Sequence, residues 1–405
     1  MLEFGEPAIA ISEERLRLEN RGRWLSFEAW EEDRFLSRRI VRVKSQTRDR
    51  LELVAERFGG RESILTLFDA ARPANGGIQE KGKRQAFGAV FRRMLQREFP
   101  GFRIAEESTE ANLQESLSPA YPRALLRQGT AAIAVIAAPP NSDVDAVLSF
   151  GLIWLDYLRA REQRISGGRA AHVQGLAIFV PQGHAQVTAL RMCWLDANAA
   201  QWTLFEYSKS GHCSKVDYTD CGNLDTHVEP LAAGASSVGA LEPEAVIEEQ
   251  IRGQLRQIEA DLHAEPVYGQ VPAFAGCDRG IVDLLGVSLG GRLTILELKA
   301  TESIHLPLQA LDYWIRVRWH LERGDFQRHG YFPGIALSPQ LPKLLLVAPA
   351  MRFHSTNERI LRYLDPRIEV ERVGIAPGWV GPVRVLFREP RGPNGEAPQR
   401  GIAKR

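Results

Sequence analysis

The last third of the chain has the most regular pattern of apolar and polar positions. In the segment PEAVIEEQIRGQLRQIEADL, apolar residues recur at helical spacing from Ile247 to Leu262, which predicts a helix that begins near Pro243. Short apolar runs follow, and they predict three strands, a helix, a strand, a short helix and a final strand. Because strand–helix–strand connections join parallel strands, the pattern predicts an α/β fold with a partly parallel sheet flanked by helices.

Pattern and composition divide the whole chain into five segments. Residues 1–75 contain β-type runs such as RRIVRVKS and predict a β-rich N-terminal segment, and residues 80–208 predict a first α/β domain. Residues 209–242 are rich in Gly, Ser, Asp and Ala without a sustained apolar period, which predicts a linker. Residues 243–376 predict a second α/β domain, and the Pro-, Gly- and charge-rich residues 388–405 predict a disordered tail.

Three ionisable residues interrupt the two apolar strands of GIVDLLGVSLGGRLTILELKA, residues 280–300. Glu297 and Lys299 are two positions apart, so a strand points both to the same face, and a hairpin through SLGGR would bring Asp283 beside Glu297. An internal Glu–Lys ion pair would explain two of the three residues. Two carboxylates forced together repel unless a cation lies between them, and carboxylates with a backbone carbonyl and water suit Mg²⁺. A lysine beside such a metal can orient an attacking water.

This arrangement resembles the PD-(D/E)XK nuclease superfamily. Asp283 matches the first acid of its motif, and Glu297-Leu298-Lys299 matches the E-x-K element. The helix that follows carries Gln309 and Tyr313 one turn apart, like the Q-x-x-x-Y element of RecB-type members. The region is also similar to the nuclease domain of NucS-type endonucleases. The resemblance covers about residues 243–375, and the proline of the superfamily name is replaced by Val282.

The resemblance implies a restriction-endonuclease-like mixed sheet and a role for each matching residue. Mg²⁺ or Mn²⁺ would be held by Asp283, Glu297 and the Leu298 carbonyl, and Lys299 would position the water. Several members place a further metal-linked acid on the first helix of the fold, where this sequence has Glu248, with Glu244 one turn earlier in reserve.

The side chains of Gln309 and Tyr313 would order the site or a backbone phosphate. These roles imply a metal-dependent DNA nuclease, an endonuclease in preference to an exonuclease, that works in DNA repair, recombination or defence. A second hypothesis is a nucleic-acid-binding or assembly protein that keeps the fold without turnover. A third is an α/β protein whose strand acids are purely structural.

The middle domain has a pattern similar to that of the last domain. An ungapped shift of 160 residues places Trp314 on Trp154 and matches the order of strands and helices. The same shift replaces the site residues as follows: Asp283 by Arg123, Glu297 by Ala137, Lys299 by Pro139, Gln309 by Ser149 and Tyr313 by Ile153. The region 80–208 is therefore either a degenerate copy of the nuclease-like domain or an unrelated α/β domain with generic patterning.

Composition limits the remaining possibilities. The 405 residues carry a net charge of +1, so any contact with DNA needs a local basic surface rather than a polycationic chain. Candidates for that surface are basic residues of the first helix and basic residues that follow Gln309 and Tyr313: Arg252, Arg256, Arg316, Arg318, His320, Arg323 and Arg328. Each is equally consistent with a solvated helix face, and Trp314 and Trp319 are typical of packing rather than base stacking.

Other cofactor sites and targeting segments find little support in the sequence. The loop with His212, Cys213, Cys221 and His227 lacks the paired spacing typical of zinc sites, and PANGGIQEKGKR lacks a phosphate-loop pattern. Four cysteines are too few and too scattered for a disulfide framework, and no apolar stretch is long enough for a membrane span. We expect a soluble cytoplasmic protein that acts on DNA, and a homodimer is one assembly that we consider for it.

Overall fold

The computed structural model describes residues 2–3, 16–20, 25–31, 34–46, 50–57, 61–68, 75–112, 114–140, 142–165, 170–219, 243–275, 278–376 and 382–391. The chain divides into two compact units. The first contains the strands of an N-terminal sheet and of a middle sheet, and the second contains most of a C-terminal sheet. The chain therefore has the mixed α/β architecture that the pattern predicts, with a separate all-β part at its start.

The N-terminal sheet has six antiparallel strands in the spatial order β1-β6-β5-β4-β3-β2. Its strands are β1 (Leu2–Glu3), β2 (Leu16–Asn20), β3 (Leu25–Glu31), β4 (Arg34–Gln46), β5 (Arg50–Arg57) and β6 (Arg61–Phe68). Alternation along β3 and β5 buries Phe27, Ala29, Leu53 and Ala55 in one cluster, as expected for a sheet with one covered face.

The middle sheet follows the long helix α1 (Asn75–Glu98). Its spatial order is β12-β11-β10-β9-β8-β7, with the inner strands β9, β10 and β11 parallel. The strands are β7 (Arg103–Ser108), β8 (Arg123–Gln128), β9 (Ala131–Ala137), β10 (His172–Pro181), β11 (Gln201–Tyr207) and β12 (Cys213–Val216). Helix α2 (Val147–Gln163) connects β9 to β10, and helix α3 (Gln186–Met192) connects β10 to β11.

The C-terminal sheet follows two short helices, α4 (Pro243–Arg252) and α5 (Leu255–Ile258). Its strands lie in chain order: β13 (Tyr268–Ala275), β14 (Asp278–Val287), β15 (Leu293–Leu298), β16 (Lys343–Pro349), β17 (Val370–Ile375) and β18 (Val385–Pro390). Helices α6 (Leu306–Arg323) and α7 (Asp325–Arg328) lie between β15 and β16, and α8 (Asn357–Leu361) lies between β16 and β17. This order is the one that the hydrophobic pattern predicts, with β18 added.

The predicted first helix is interrupted rather than continuous. It stops after Arg252 and resumes at Leu255, with Gly253 and Gln254 between. Glycine favours the helix interior least among residues other than proline. The Gln254 side chain also accepts a hydrogen bond from the Val383 amide at 2.7 Å, a tertiary contact that no local pattern reveals.

The middle and C-terminal sheets share one topology. In both, the second and third strands are antiparallel, the third, fourth and fifth are parallel, and the sixth is antiparallel to the fifth. A helix connects the third strand to the fourth in each sheet, and a shorter helix connects the fourth to the fifth. The two sheets therefore agree in strand order, strand direction and the placement of connecting helices.

Hydrogen bonding aligns the two sheets residue by residue. The fourth strand ends at Pro181 in one and Pro349 in the other, each paired with the residue 26 positions later. Two residues before these prolines, Phe179 accepts a bond from Ala138 N at 2.9 Å, and Val347 accepts one from Lys299 N at 3.0 Å. Ala138, rather than Pro139, thus matches Lys299, and the ungapped shift of 160 is wrong by one residue in this strand.

The same alignment identifies the neighbours of Ala138. Ile136, rather than Ala137, matches Glu297, and Arg123 pairs with Ile136 across β8 and β9. Arg123 therefore keeps its predicted match to Asp283.

Two segment boundaries differ from the predicted ones. Strand β12 lies inside the predicted linker 209–242, and β18 extends past residue 376 into the predicted tail 388–405. Both are outer strands of their sheets, and each pairs with a single neighbouring strand. Within the described residues, no helix is long and apolar enough to span a membrane.

Candidate functional site

The hairpin of β14 and β15 places the predicted strand acids opposite each other. Its antiparallel register runs from Val287↔Leu293 to Leu284↔Leu296. Continued by one pair, that register sets Asp283 opposite Glu297, and directly opposed residues of an antiparallel pair project to the same face. The predicted hairpin through SLGGR is therefore present with the register that the two-residue period requires.

Gly291 makes the turn of this hairpin possible. Its φ of +80° lies in the left-handed region, and a Cβ at this position would collide with the carbonyl oxygen of Ala336. The Gly291 amide donates to the Ser288 carbonyl at 2.8 Å, and the Ser288 amide donates to Arg292 at 2.8 Å. A residue with a side chain would disturb the turn that sets the register.

Asp283 is bound to the neighbouring strand through its side chain. Its Oδ2 atom accepts a hydrogen bond of 2.7 Å from the backbone amide of Leu298, and only 6% of the residue is exposed. The next amide, Lys299 N, points to the other side and donates to β16. The hydrogen bond from Leu298 therefore connects Asp283, the first acid of the motif, to the E-x-K element. It also fixes the orientation of the Asp283 carboxylate.

Glu297 and Lys299 form a buried ion pair on the same face. Glu297 is 0% exposed and Lys299 is 5% exposed, and Lys299 Nζ lies 3.6 Å from Glu297 Oε1. Two carboxylates and one ammonium group thus share an apolar region of the sheet. Burying ionised groups of this kind is expensive unless they are paired and hydrogen-bonded.

Helix α6 presents Gln309 and Tyr313 to these acids. Gln309 Nε2 donates a hydrogen bond of 3.1 Å to the Tyr313 phenol oxygen. Burial raises the pKa of Tyr313 well above its usual value, and the negative charges of Glu297 and Asp283 raise it further. Tyr313 is therefore a neutral phenol. Its oxygen accepts the hydrogen bond from Gln309, and its hydroxyl group can act as a donor.

The helix acid of the resemblance, Glu248, has an arginine partner on its own helix. Helices α4 and α5 pack through Ile251 and Leu255 on the face that buries Leu296 and Leu298, and alternation points Glu297 away from that face. The Glu248 carboxylate instead forms an ion pair of 3.0 Å with Arg252 on its own helix.

The absence of a side chain at Gly269 leaves the space that the Glu248–Arg252 ion pair occupies. This buried residue of β13 lies directly beneath the pair, and a Cβ there would overlap both side chains. The reserve candidate Glu244 is in the first turn of α4, and its side chain lies outside the described residues.

The donor set fits Mg²⁺ or Mn²⁺ better than a metal held by protein alone. In the described part of the chain, no group of three or more His, Cys, Asp or Glu side chains could hold a metal ion. Asp283 and Glu297 supply two carboxylates, and the Leu298 carbonyl is in the same strand. Mg²⁺ is usually bound by one or two carboxylates, and it keeps several waters or takes substrate phosphate oxygens. An oxygen set of this size suits that mode of binding.

Most candidate basic residues on α6 have local partners. Arg318 pairs with Glu322 at 2.8 Å, and the Arg323 guanidinium lies 4.6 Å from the Trp319 ring centroid. Arg328 pairs with Asp325, which also contacts the buried His320. Trp314 is a core residue whose indole donates to the Pro342 carbonyl. The helix surface is thus stabilised by its own pairs, and the described contacts define no dedicated phosphate-binding row.

The zinc candidates are divided between described and undescribed residues. Cys213 is a buried residue of β12 and His212 lies in the turn before it, whereas Cys221 and His227 lie outside the described residues. Cys213 pairs with Tyr207 across the ladder, which is a packing position.

One residue near the site gave no sequence signal. Asn357 at the start of α8 is fully buried, and its amide donates to the Ser303 carbonyl at 2.8 Å. Its Oδ1 atom accepts from the His354 amide at 3.1 Å. Asn357 therefore anchors the loop that follows Lys299. From sequence, an Asn at a helix start is indistinguishable from an ordinary cap.

Comparisons with known proteins give a limited result. The chain matches no protein-family model and no curated protein. Part of it is similar to the crystal structure of a repair endonuclease from Pyrococcus abyssi, at 23% identity, over 32% of this chain and 50% of that one, with a TM-score of 0.22. It is likewise similar to EndoMS in a complex with double-stranded DNA, at 23% identity, over 32% and 44% of the chains, with a TM-score of 0.22.

The chain spans half the length of these proteins or less. A TM-score of 0.22 does not establish a shared fold, so the site itself carries the functional argument.

Proposed function

We propose that this protein is a Mg²⁺- or Mn²⁺-dependent nuclease that hydrolyses phosphodiester bonds in DNA. The observation that carries the proposal is the buried group of Asp283, Glu297 and Lys299 on one sheet face, covered by Tyr313. A purely structural ion pair needs one carboxylate and one cation. The second carboxylate, fixed by the Leu298 amide, gives the site the two acidic ligands with which Mg²⁺ can be bound.

The metal would be held by Asp283, Glu297 and the Leu298 carbonyl. When bound, the ion supplies charge stabilisation to the phosphate and activates a water molecule. The Leu298 amide keeps the Asp283 carboxylate in place, so that this ligand does not have to be ordered when the ion binds. Glu248 is left out of the set because its carboxylate pairs with Arg252.

Lys299 supplies the remaining positive charge. Its ammonium group is held 3.6 Å from Glu297, where it can donate to the attacking water or to a phosphate oxygen. The water oxygen forms a bond to phosphorus, the bond from phosphorus to the leaving oxygen breaks, and that oxygen takes a proton. Gln309 orients the Tyr313 phenol, which stays neutral and can donate to an oxygen of the same phosphate.

DNA is proposed as the substrate on the resemblance of the D…E-x-K strands and the Gln–Tyr helix to RecB-type nucleases. The same resemblance suggests endonucleolytic work in repair, recombination or defence. These finer assignments are open to direct test because each substrate form gives a different product on a gel.

The test is cleavage of supercoiled, linear, single-stranded and branched DNA with Mg²⁺ or Mn²⁺. We expect Lys299→Met to lower the rate by about 100-fold or more, the effect typical of losing a group that orients a reacting proton or water. Lys215→Met, which changes an exposed lysine of β12, is the matched control. Intact DNA with the wild-type protein, together with DNA binding, would favour the non-catalytic binding protein. Equal cleavage by wild type and Lys299→Met would locate the activity at another site or in a contaminant.

A further inference from the structure

The middle sheet matches the C-terminal sheet strand for strand, yet it has different chemistry at the site. The hydrogen-bond alignment sets Arg123 in the place of Asp283, Ile136 in that of Glu297 and Ala138 in that of Lys299. Ile136 and Ala138 are fully buried and uncharged. Of these three described positions, none carries a carboxylate, so the set contains no ligand for a metal ion.

Arg123 occupies the matching position and donates to three oxygen atoms. It is 3% exposed, and its guanidinium donates to the carbonyl oxygens of Glu110 at 2.6 Å and Ser118 at 3.3 Å and to the Ser108 hydroxyl at 3.3 Å. Burial lowers the pKa of Arg123 to about 10, so the group is still charged at neutral pH. Backbone carbonyls that converge on a fixed cation resemble the oxygen environment of a metal ion.

The connecting helix repeats the arrangement with an aromatic residue. Trp154 of α2 lies with its ring centroid 5.5 Å from the Arg123 guanidinium carbon, and its indole donates to the Ala124 carbonyl at 3.2 Å. In the C-terminal domain, Tyr313 of α6 lies in the electrostatic field of Asp283 and Glu297. Each connecting helix thus has an aromatic residue near this strand position, although Trp154 matches Trp314 rather than Tyr313 in the sequence shift.

We infer that the middle α/β domain is an inactivated copy of the C-terminal domain, in which Arg123 supplies the positive charge that a metal ion supplies in the other copy. Each chain then contributes one hydrolytic centre and cuts one DNA strand per binding event. This inference rests on the proposed function of Asp283, Glu297 and Lys299. An unrelated α/β domain would not be expected to share the strand directions, the 26-residue pairing offset and the Ala138–Phe179 bond.

Plasmid cleavage tests the number of centres. The full chain is incubated with supercoiled plasmid and Mn²⁺, and its oligomeric state is measured by light scattering in the same buffer. We expect open-circular plasmid to accumulate before linear plasmid. If the protein is a dimer that converts supercoiled plasmid directly to linear plasmid, we add an excess of Asp283→Asn chains. Mixed dimers then have one active centre, so the first product should become open-circular plasmid. Linear plasmid as the first product despite that excess would overturn the inference.

Metal binding gives a second readout that needs no turnover. In a Mn²⁺ titration by calorimetry, we expect binding to be lost in Asp283→Asn combined with Glu297→Gln, and to keep the wild-type stoichiometry in Arg123→Lys. Mn²⁺ binding that survives in the Asp283→Asn, Glu297→Gln variant would show a further metal site and overturn the single-centre inference.

A third variant separates the role of Arg123 from folding failure. Arg123→Met removes the buried cation and leaves three oxygen partners without it, so its melting temperature should fall below that of Arg123→Lys. Equal melting temperatures of the two variants would contradict the role of the charge. A wild-type protein that cuts no DNA would overturn the proposed function, and the titration would still count its metal sites.

Discussion

Replacing Asp283 with Asn should make the metal-free protein more stable. The amide side chain has nearly the same shape, and its oxygen can still accept the 2.7 Å hydrogen bond from the Leu298 amide. The substitution removes the charge of one acid beside Glu297, and the ion pair of Lys299 with Glu297 at 3.6 Å is kept.

The magnitude follows from the opposed register. Opposite residues of an antiparallel pair have Cβ atoms roughly 5 Å apart. At an effective dielectric constant of about 20, two charges at that distance repel by about 3 kcal/mol. Exchanging a charged hydrogen-bond acceptor for a neutral one costs about 1 kcal/mol. Asp283→Asn should thus gain about 2 kcal/mol, a rise in melting temperature of about 4–8 °C for a domain of this size.

The assay is thermal and urea unfolding in the presence of EDTA. Glu249→Gln, an exposed acid of α4, is the matched control and should leave the free energy of unfolding unchanged. Adding Mg²⁺ should stabilise the wild type and not Asp283→Asn, because only the wild type binds the ion in its folded state. Asp283→Asn less stable than wild type in EDTA, with Glu249→Gln neutral, would refute the repulsion and favour a purely structural acid cluster.

Three further predictions address the surroundings of the site. The pKa of Tyr313 in the folded protein is raised above the unfolded value of 10.0, so the wild-type free energy of unfolding should fall as pH rises above about 10. Tyr313→Phe should lose less of this free energy, by up to about 1.4 kcal/mol per pH unit. Equal pH slopes of the two proteins in urea unfolding would contradict this. Gly291→Ala should lower the free energy of unfolding by about 2 kcal/mol or more, because the new Cβ would collide with the Ala336 carbonyl oxygen. Gly330 has a similar φ of +77° but open space around it, so Gly330→Ala should lower the free energy by only about 1 kcal/mol. Equal losses in the two variants would show that the collision at Gly291 is relieved. Glu248→Gln should leave Mn²⁺ affinity nearly unchanged in calorimetry, and a loss as large as that of Asp283→Asn would return Glu248 to the metal ligands.

The sequence predicts those parts of the site that depend on local periodicity. The alternation around Asp283 and Glu297 and the Gly-Gly turn predict the hairpin, because a one-residue slip would expose the leucines on its other face. Helical spacing likewise places Gln309 and Tyr313 on one face. These features follow from backbone geometry, so short segments are sufficient to specify them.

Other features depend on tertiary contacts that local patterns do not contain. The pairing of Glu248 with Arg252 depends on the absence of a side chain at Gly269, which belongs to a different element. Strand β18 (VLFREP) begins with three apolar residues and runs into the polar segment that predicts a tail, and its pairing with β17 is a tertiary contact. The ungapped shift of 160 matches Lys299 to Pro139 instead of Ala138, because a single shift does not allow for a one-residue difference in the length of the connections between strands. Only the cross-strand bonds determine that register.

The central claim is that Asp283 and Glu297 hold a divalent cation beside Lys299. The most direct measurement is anomalous diffraction at the manganese edge from crystals of the full chain grown with Mn²⁺. We predict a peak in contact with the carboxylates of Asp283 and Glu297. A well-ordered site without a peak there at saturating Mn²⁺, or a peak at another cluster, would contradict it.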